Sequence, residues 1–184
     1  MVRGVLKDSF LNSGNEIGGS GVECGWSLTL ATASDLPTVL PLVFGFYRHF
    51  EFPWNEARKR QVLSEILASP QVGRLWLVRV SGDAVGYALV IYFLSMEFDG
   101  RVAVLDEFYL DPRSRGKGLG GWVLRRLREQ AAEEGIAVIR LEVDERHPEA
   151  AALYARDGFQ REPREIWSRR TGELRRGGRQ AYRP

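Results

Sequence analysis

The sequence predicts a single α/β (α+β) domain built on a mixed, mostly antiparallel sheet with helices on both faces. Three observations carry this expectation. Three strand-like runs follow one another over residues 74–110 with only short turns between them, and strands joined that tightly are antiparallel. One strand–helix–strand passage, residues 101–143, then adds a parallel pair. Amphipathic helical segments stand both before and after the strand run, so both faces of the sheet can be covered. At 184 residues and 44% hydrophobic, the chain can fill one complete core.

The elements follow in order. Residues 1–24 are rich in Gly, Ser and Asn without periodicity and read as a loose N-terminal arm ahead of a domain over 25–170. "WSLTLATA" (26–33) alternates as a first strand. Ser34 offers an N-cap to "SDLPTVLPLVFGFYRHF", with Pro37 tolerated in the first turn and Pro41 expected to kink or divide the helix. Asn55 caps "NEARKRQVLSEILAS", where Val62, Leu63, Ile66 and Leu67 share one face. "RLWLVRV" (74–80), a "SGD" turn and "AVGYALVIYFL" (84–94) form a hairpin, and "RVAVLDEFYL" (101–110) is the fourth strand. A helix runs from the following glycine-rich loop to about Glu134, where Gly135 ends it. "IAVIRLEV" (136–143) is a fifth strand, "HPEAAALYARDGF" a short helix stopped by Gly158, and "REIWSRR" (164–170) a last strand before a basic tail over 171–184.

Composition excludes several classes. A formal net charge of +2 is too nearly neutral for a dedicated nucleic-acid binder, so no nucleic-acid partner is expected. Of the 26 Lys and Arg residues only Lys7, Lys59 and Lys117 are lysine, a skew that makes the arginine count itself uninformative. Cys24 is the single cysteine and His49 and His147 the two histidines, which rules out an internal disulfide and a Cys/His zinc site; no metal is expected. No apolar run nears the ~20 residues of a membrane span, and the N-terminus lacks a signal-peptide core. A reducing, cytoplasmic setting without a membrane partner is the expectation.

The stretch "DPRSRGKGLGG" (111–121) carries the chemistry. A P-loop needs glycine where Asp111 stands. Gly116, Gly118 and Gly121 do match a dinucleotide fingerprint, with Glu142 downstream. Against that, "DPRSR" separates the strand from the first glycine, and too little chain follows for a doubly wound sheet. The better reading is an anion site. Gly116, Gly118 and Gly120 let backbone amides converge at a helix N-terminus, and Arg113, Arg115 and Lys117 add counter-charge.

At these residues the chain resembles the GNAT superfamily of acyl-CoA-dependent N-acyltransferases. The family's R/Q-x-x-G-x-G/A motif reads here as Arg113-Ser-Arg-Gly116-Lys-Gly118, and "FYLDP" before it resembles the family's fourth strand. Ala150, Leu153, Tyr154, Gly158 and Phe159 fall in register with a second block, in which His147 replaces the usual Asn. The resemblance covers roughly residues 26–168. It implies acetyl-CoA as acyl-donor cosubstrate, lying where the fourth and fifth strands splay. Backbone groups of Phe108, Tyr109 and Leu110 would pair with its pantetheine arm, the loop from Arg113 through Leu119, Gly120 and Gly121 would hold its pyrophosphate, and His147 would stand at the Asn contact. It further implies direct attack by a primary amine of a small molecule or peptide, Tyr154 as proton donor to the departing thiolate, and leaves room for a homodimer. A non-catalytic acyl-CoA-binding or regulatory module is the alternative.

The residues themselves suggest the base. Asp106 and Glu107 stand in the middle of an apolar strand, where carboxylates are costly without a purpose, either as a base or in a buried ion pair with an arginine. Strand neighbours point to opposite faces, so only one of them is expected to face the acceptor. The resemblance implies an acceptor pocket lined by the first two helices and their connection, where Phe44, Phe46, Tyr47, Phe50, Phe52 and Trp54 read either as core or as an aromatic acceptor wall, with Glu51 as a cation partner.

Overall fold

The computed structural model of the chain describes residues 16–17, 25–169 and 171. Strands β2 (Trp26–Leu30), β3 (Gly73–Val80), β4 (Asp83–Ser95) and β5 (Gly100–Leu110) pair antiparallel in chain order, and β6 (Val138–Leu141) joins β5 in parallel. A two-residue strand, β1 (Glu16–Ile17), pairs antiparallel with β2. The remainder of the expected arm, Arg170 and the tail beyond Thr171 lie outside the described residues. Among the described residues no helix is long and apolar enough to cross a membrane.

Among the described residues four helices cover the sheet: α1 (Leu36–His49) and α2 (Glu56–Leu67) on one face, α3 (Leu119–Glu133) and α4 (Pro148–Arg156) on the other. The alternation of β3 shows why both faces close. Leu75 and Leu77 enter the α1/α2 core, while Trp76 and Val78 enter the α3 core. The β3–β4 turn is as tight as its sequence demands, with Ser81 at φ 51 and Gly82 at φ 91. Left-handed residues at both positions match the twist of a two-residue hairpin.

Three expectations are corrected. Ser34 is not the cap. Thr32 caps a 3-10 turn over Ala33–Asp35, its backbone N–H donating to the Asp35 carboxylate at 2.9 Å, and Asp35 is in turn the N-cap of α1. Pro41 does not divide α1, which runs through it. Its missing donor would have bonded Pro37, and both residues lie on the exposed side of the helix, where water can satisfy the orphaned carbonyl. Residues 164–169 form no strand. Ile166 and Trp167 are exposed, so the segment has no apolar face to bury, and Arg164 is held by Glu97 instead. The Asn55 cap is as expected, its Oδ1 accepting from the Arg58 N–H at 3.1 Å.

Candidate active site

The cleft arises where β5 loses a neighbour. Its parallel pairing with β6 runs from Val102↔Val138 to Leu105↔Leu141 and stops because β6 ends. Beyond it Asp106 is unpaired and Glu107 to Leu110 are paired only with β4. Their backbone groups on the other edge are left for a ligand, as the splayed arrangement requires.

A bulge lies at the same point. Leu89 pairs with Glu107 and Val90 with Leu105, so Asp106 is an extra residue. Such an insertion re-aims the side chains that follow it. Leu105, Phe108 and Leu110 belong to the α3 side, whereas Tyr109 joins the α1 side and Glu107 bonds tyrosines there. The bulge thus breaks the simple alternation on which the expectation of opposite faces for Asp106 and Glu107 rested, and Asp106 stays exposed beside the half-buried Glu107. Both act on the same neighbours, Tyr47, Tyr87 and Lys59.

These groups form a partly buried cluster. Glu107 accepts hydrogen bonds from the Tyr47 hydroxyl at 2.8 Å and from the Tyr87 hydroxyl at 2.7 Å, one on each carboxylate oxygen. The Lys59 ammonium donates to the Tyr47 hydroxyl and lies 3.7 Å from that ring's centroid. Burial raises the Glu107 carboxyl above its ordinary value, against the tyrosine hydrogen bonds and Lys59, which favour the anion. Burial likewise raises Asp106, opposed by Lys59, and its carboxylate accepts no hydrogen bond from another described residue. Lys59 is lowered, again chiefly by loss of hydration, although both carboxylates hold its charge. Tyr47 was expected in the aromatic acceptor wall, whereas Tyr87 and Lys59 were not singled out for this site from sequence. They converge on Glu107 from distant positions, and no motif marks them.

The glycine loop divides by role. The Asp111 carboxylate accepts from the Arg113 N–H at 2.9 Å and starts a 3-10 turn over Pro112–Ser114. Gly116 and Gly118 then adopt left-handed φ of 75° and 85°, and Gly118 is the N-cap of α3. A Cβ built at Gly116 or Gly121 would meet nothing within 4 Å, so ligand can approach there. Gly120 differs. Its Cβ would lie 3.2 Å from Leu153, so this glycine serves the packing of α3 on α4. Leu119 is a core residue, leaving only its backbone to the loop. Arg113 and Lys117 are exposed. Arg115 turns back, donating from Nε to the Leu110 carbonyl at 2.8 Å and lying over the Tyr109 ring, so it braces the end of β5. A concavity of about 230 Å³ opens beside Gly118 and Gly121, with Arg125 and Arg156 on its wall, two cations that sequence reasoning missed.

Tyr154 sits on α4 against the α3 core, edge-on to Phe159 at 5.8 Å. Burial pushes its hydroxyl up to about 12, so it stays protonated at neutral pH. His147 precedes α4, its Nδ1 3.2 Å from Glu149, and its ring packs on Phe50 at 4.5 Å beside His49 at 5.7 Å. Two helices from opposite faces of the sheet thus meet where β6 has ended. Burial lowers His49, helped by Arg115 and His147. The aromatic wall also sorts itself. Phe46 is core, whereas Phe44, Tyr47 and Phe52 adjoin the α1–α2 connection around Trp54. Glu51 is exposed at φ 55°, ending α1 with the Phe52 N–H bonded to the Tyr47 carbonyl at 2.8 Å, and stands apart from the carboxylate cluster.

The acetyltransferase (GNAT) family profile matches residues 42–159. An uncharacterised N-acetyltransferase of Bacillus subtilis, YhfO, is 22% identical over 71% of this chain and 87% of its own length. The spermine/spermidine N(1)-acetyltransferase of Bacillus subtilis is 42% identical, but over 43% of this chain and 54% of that protein, so the likeness spans about half of it. Among solved structures, integron cassette protein HFX_CASS3, from the mobile metagenome of Cole Harbour Salt Marsh, superposes with a TM-score of 0.71. It is 26% identical, covering 79% of this chain and 90% of that one. The matched span holds the bulged strand, the glycine loop and α4 together, and the chain belongs to the acetyltransferase (GNAT) family of acyltransferase enzymes.

Proposed function

We propose that this enzyme transfers an acetyl group from acetyl-CoA to the primary amine of a small molecule or peptide that arrives as an ammonium ion, within a domain over residues 25–170. Members of the family use acetyl-CoA, which when bound supplies an activated acetyl thioester. The loop fits such a group: unpaired amides at the start of α3, two left-handed glycines and open space at Gly116 and Gly121 suit a pyrophosphate. Arg113 and Lys117 add positive charge beside it, and Arg125 and Arg156 do so across the concavity. The edge of Phe108, Tyr109 and Leu110 that β6 leaves uncovered offers backbone partners to an extended amide chain, apart from the Leu110 carbonyl that Arg115 holds.

The observation that carries the reading is the division of labour between the two carboxylates. Both oxygens of Glu107 are taken by tyrosine hydroxyls, so it fixes Tyr47 and Tyr87 and holds negative charge under the aromatic wall. Asp106 is the one left open, at the bulge beside the unpaired edge. It accepts the proton that an incoming ammonium must lose, and burial, which raises its affinity for protons, moves it toward that role. Tyr154 keeps its hydroxyl proton across the physiological range, as a donor to a leaving thiolate must. The polyamine-acetylating relative supports an ammonium acceptor.

Calorimetry with CoA, followed by thiol release from acetyl-CoA with polyamines, aminoglycosides, amino acids and peptides, tests the reading. CoA binding with an acetylated product is expected. No CoA binding at millimolar ligand overturns it, and binding without thiol release for any amine would favour a non-catalytic acyl-CoA-binding module.

A further inference from the structure

We propose that Lys59 sets the charge of the acceptor: as a resident counter-cation it leaves this site room for one ammonium and turns away a second. The inference rests on the reading of the Asp106/Glu107 cluster as the acceptor site. Lys59 is half-buried on α2, its ammonium against the face of Tyr47 and donating to that residue's hydroxyl, which in turn donates to Glu107. The charged groups that act on Glu107 are Asp106 and Lys59, and those that act on Lys59 are Glu107 and Asp106. Two carboxylates against one ammonium leave a net single negative charge when all three are ionised. One acceptor ammonium at the open Asp106 neutralises it. A second ammonium held against the same cluster would meet Lys59, a like charge in a partly desolvated place.

The residue type supports the assignment. In a chain whose basic residues are almost all arginine, lysine stands at 59. An ammonium is a compact point charge that seats end-on over a tyrosine ring, whereas a guanidinium spreads its charge over a planar fork. The aromatic groups beside it, Tyr47 with Trp54 at 5.8 Å, give the uncharged remainder of an alkylamine an apolar surface.

Butylamine and putrescine share a carbon skeleton and differ by one ammonium, so they are the probes. Each is titrated calorimetrically into the wild type, Lys59→Met and Lys59→Arg, with and without CoA, after circular dichroism shows that each protein is folded. Lys59→Gln replaces the methionine variant if that one does not fold. The wild type should favour butylamine. Removing the charge should move the putrescine-to-butylamine affinity ratio about tenfold toward putrescine, the scale of one screened unit charge a few ångströms away. Lys59→Arg, which keeps the charge, should retain the wild-type preference. An unchanged ratio in the uncharged variant overturns the inference and leaves Lys59 as a brace for Tyr47. Failure of both amines to bind every protein overturns the acceptor-site reading itself, and this inference with it.

Discussion

Gly118 allows the phosphate reading to be tested by charge alone. It stands at φ 85° as the N-cap of α3, and a Cβ there would touch only Trp26, at 4.0 Å. The Cβ of Asn or Asp at this position therefore clashes with nothing. Each costs about 1 kcal/mol for a left-handed L-residue, the two types that tolerate it best, and each can recover part of that by capping the helix. In a chain of this size such a cost lowers Tm by about 2–4 °C, so both variants should fold. Their ligand binding should differ sharply. A carboxylate about 5 Å from a phosphate, at an effective dielectric of about 20, is repelled by about 3 kcal/mol per unit charge, on the order of a hundredfold in Kd. Calorimetric titration with CoA should show Gly118→Asp binding about a hundredfold more weakly than Gly118→Asn, with the gap narrowing as salt is added. Equal affinities for the two variants would mean that the phosphates sit elsewhere.

Tyr154→Phe keeps the ring against Phe159 and removes only the donor, so CoA affinity should hold while turnover with a confirmed acceptor falls by ~10²–10⁴; turnover like wild type would make Tyr154 a packing residue. Gly45→Ala on α1 would place its Cβ 2.7 Å from the Tyr109 hydroxyl, and denaturant unfolding should show a loss of about 1–3 kcal/mol from overpacking, less the roughly 1 kcal/mol that alanine gains in a helix. Tyr109→Phe removes the nearest of three close contacts but leaves ring carbons at 3.0 and 3.1 Å, so it should restore only part of the loss in a double-mutant cycle. Asp106 and Glu107 both hold protons more tightly in the folded chain than in the unfolded one, so their contribution to stability falls as pH rises from the ordinary carboxylate range through their raised values. Melting across that range should show the wild type losing stability relative to Asp106→Asn/Glu107→Gln as pH rises, and the opposite slope would mean that the carboxylates are stabilised as anions.

What was legible in the sequence is what local chemistry dictates. The loop glycines, the Asn55 cap, the Ser81–Gly82 turn and the β3–β5 meander follow from rules that act over a few residues. What was hidden depends on a bulge and on distant partners. Alternation along β5 is sound up to Leu105, but one inserted residue at Asp106 reverses it, and nothing in "RVAVLDEFYL" marks which residue will be extra. Glu107 meets tyrosines 60 and 20 residues away, and Lys59 reaches the same point from α2. Gly120 reads like its loop neighbours, and only α4 packing against it separates its role. Arg115 reads as an anion ligand by its motif, yet the free Leu110 carbonyl at the end of β5 is the nearer acceptor. The last predicted strand has the right composition but no apolar face to bury, and composition alone cannot supply one.

The central claim is that the open carboxylate at the β5 bulge takes the acceptor's proton. The pH–rate profile of acetyl transfer to a confirmed amine, measured for wild type and Asp106→Asn alongside CoA binding, tests it most directly. The wild type should show an acidic limb in kcat/KM above the ordinary carboxylate range, because burial raises Asp106. Asp106→Asn should lose that limb and ~10²–10⁴ in rate while binding CoA unchanged. An Asp106→Asn enzyme with the wild-type rate and the same acidic limb would contradict the claim.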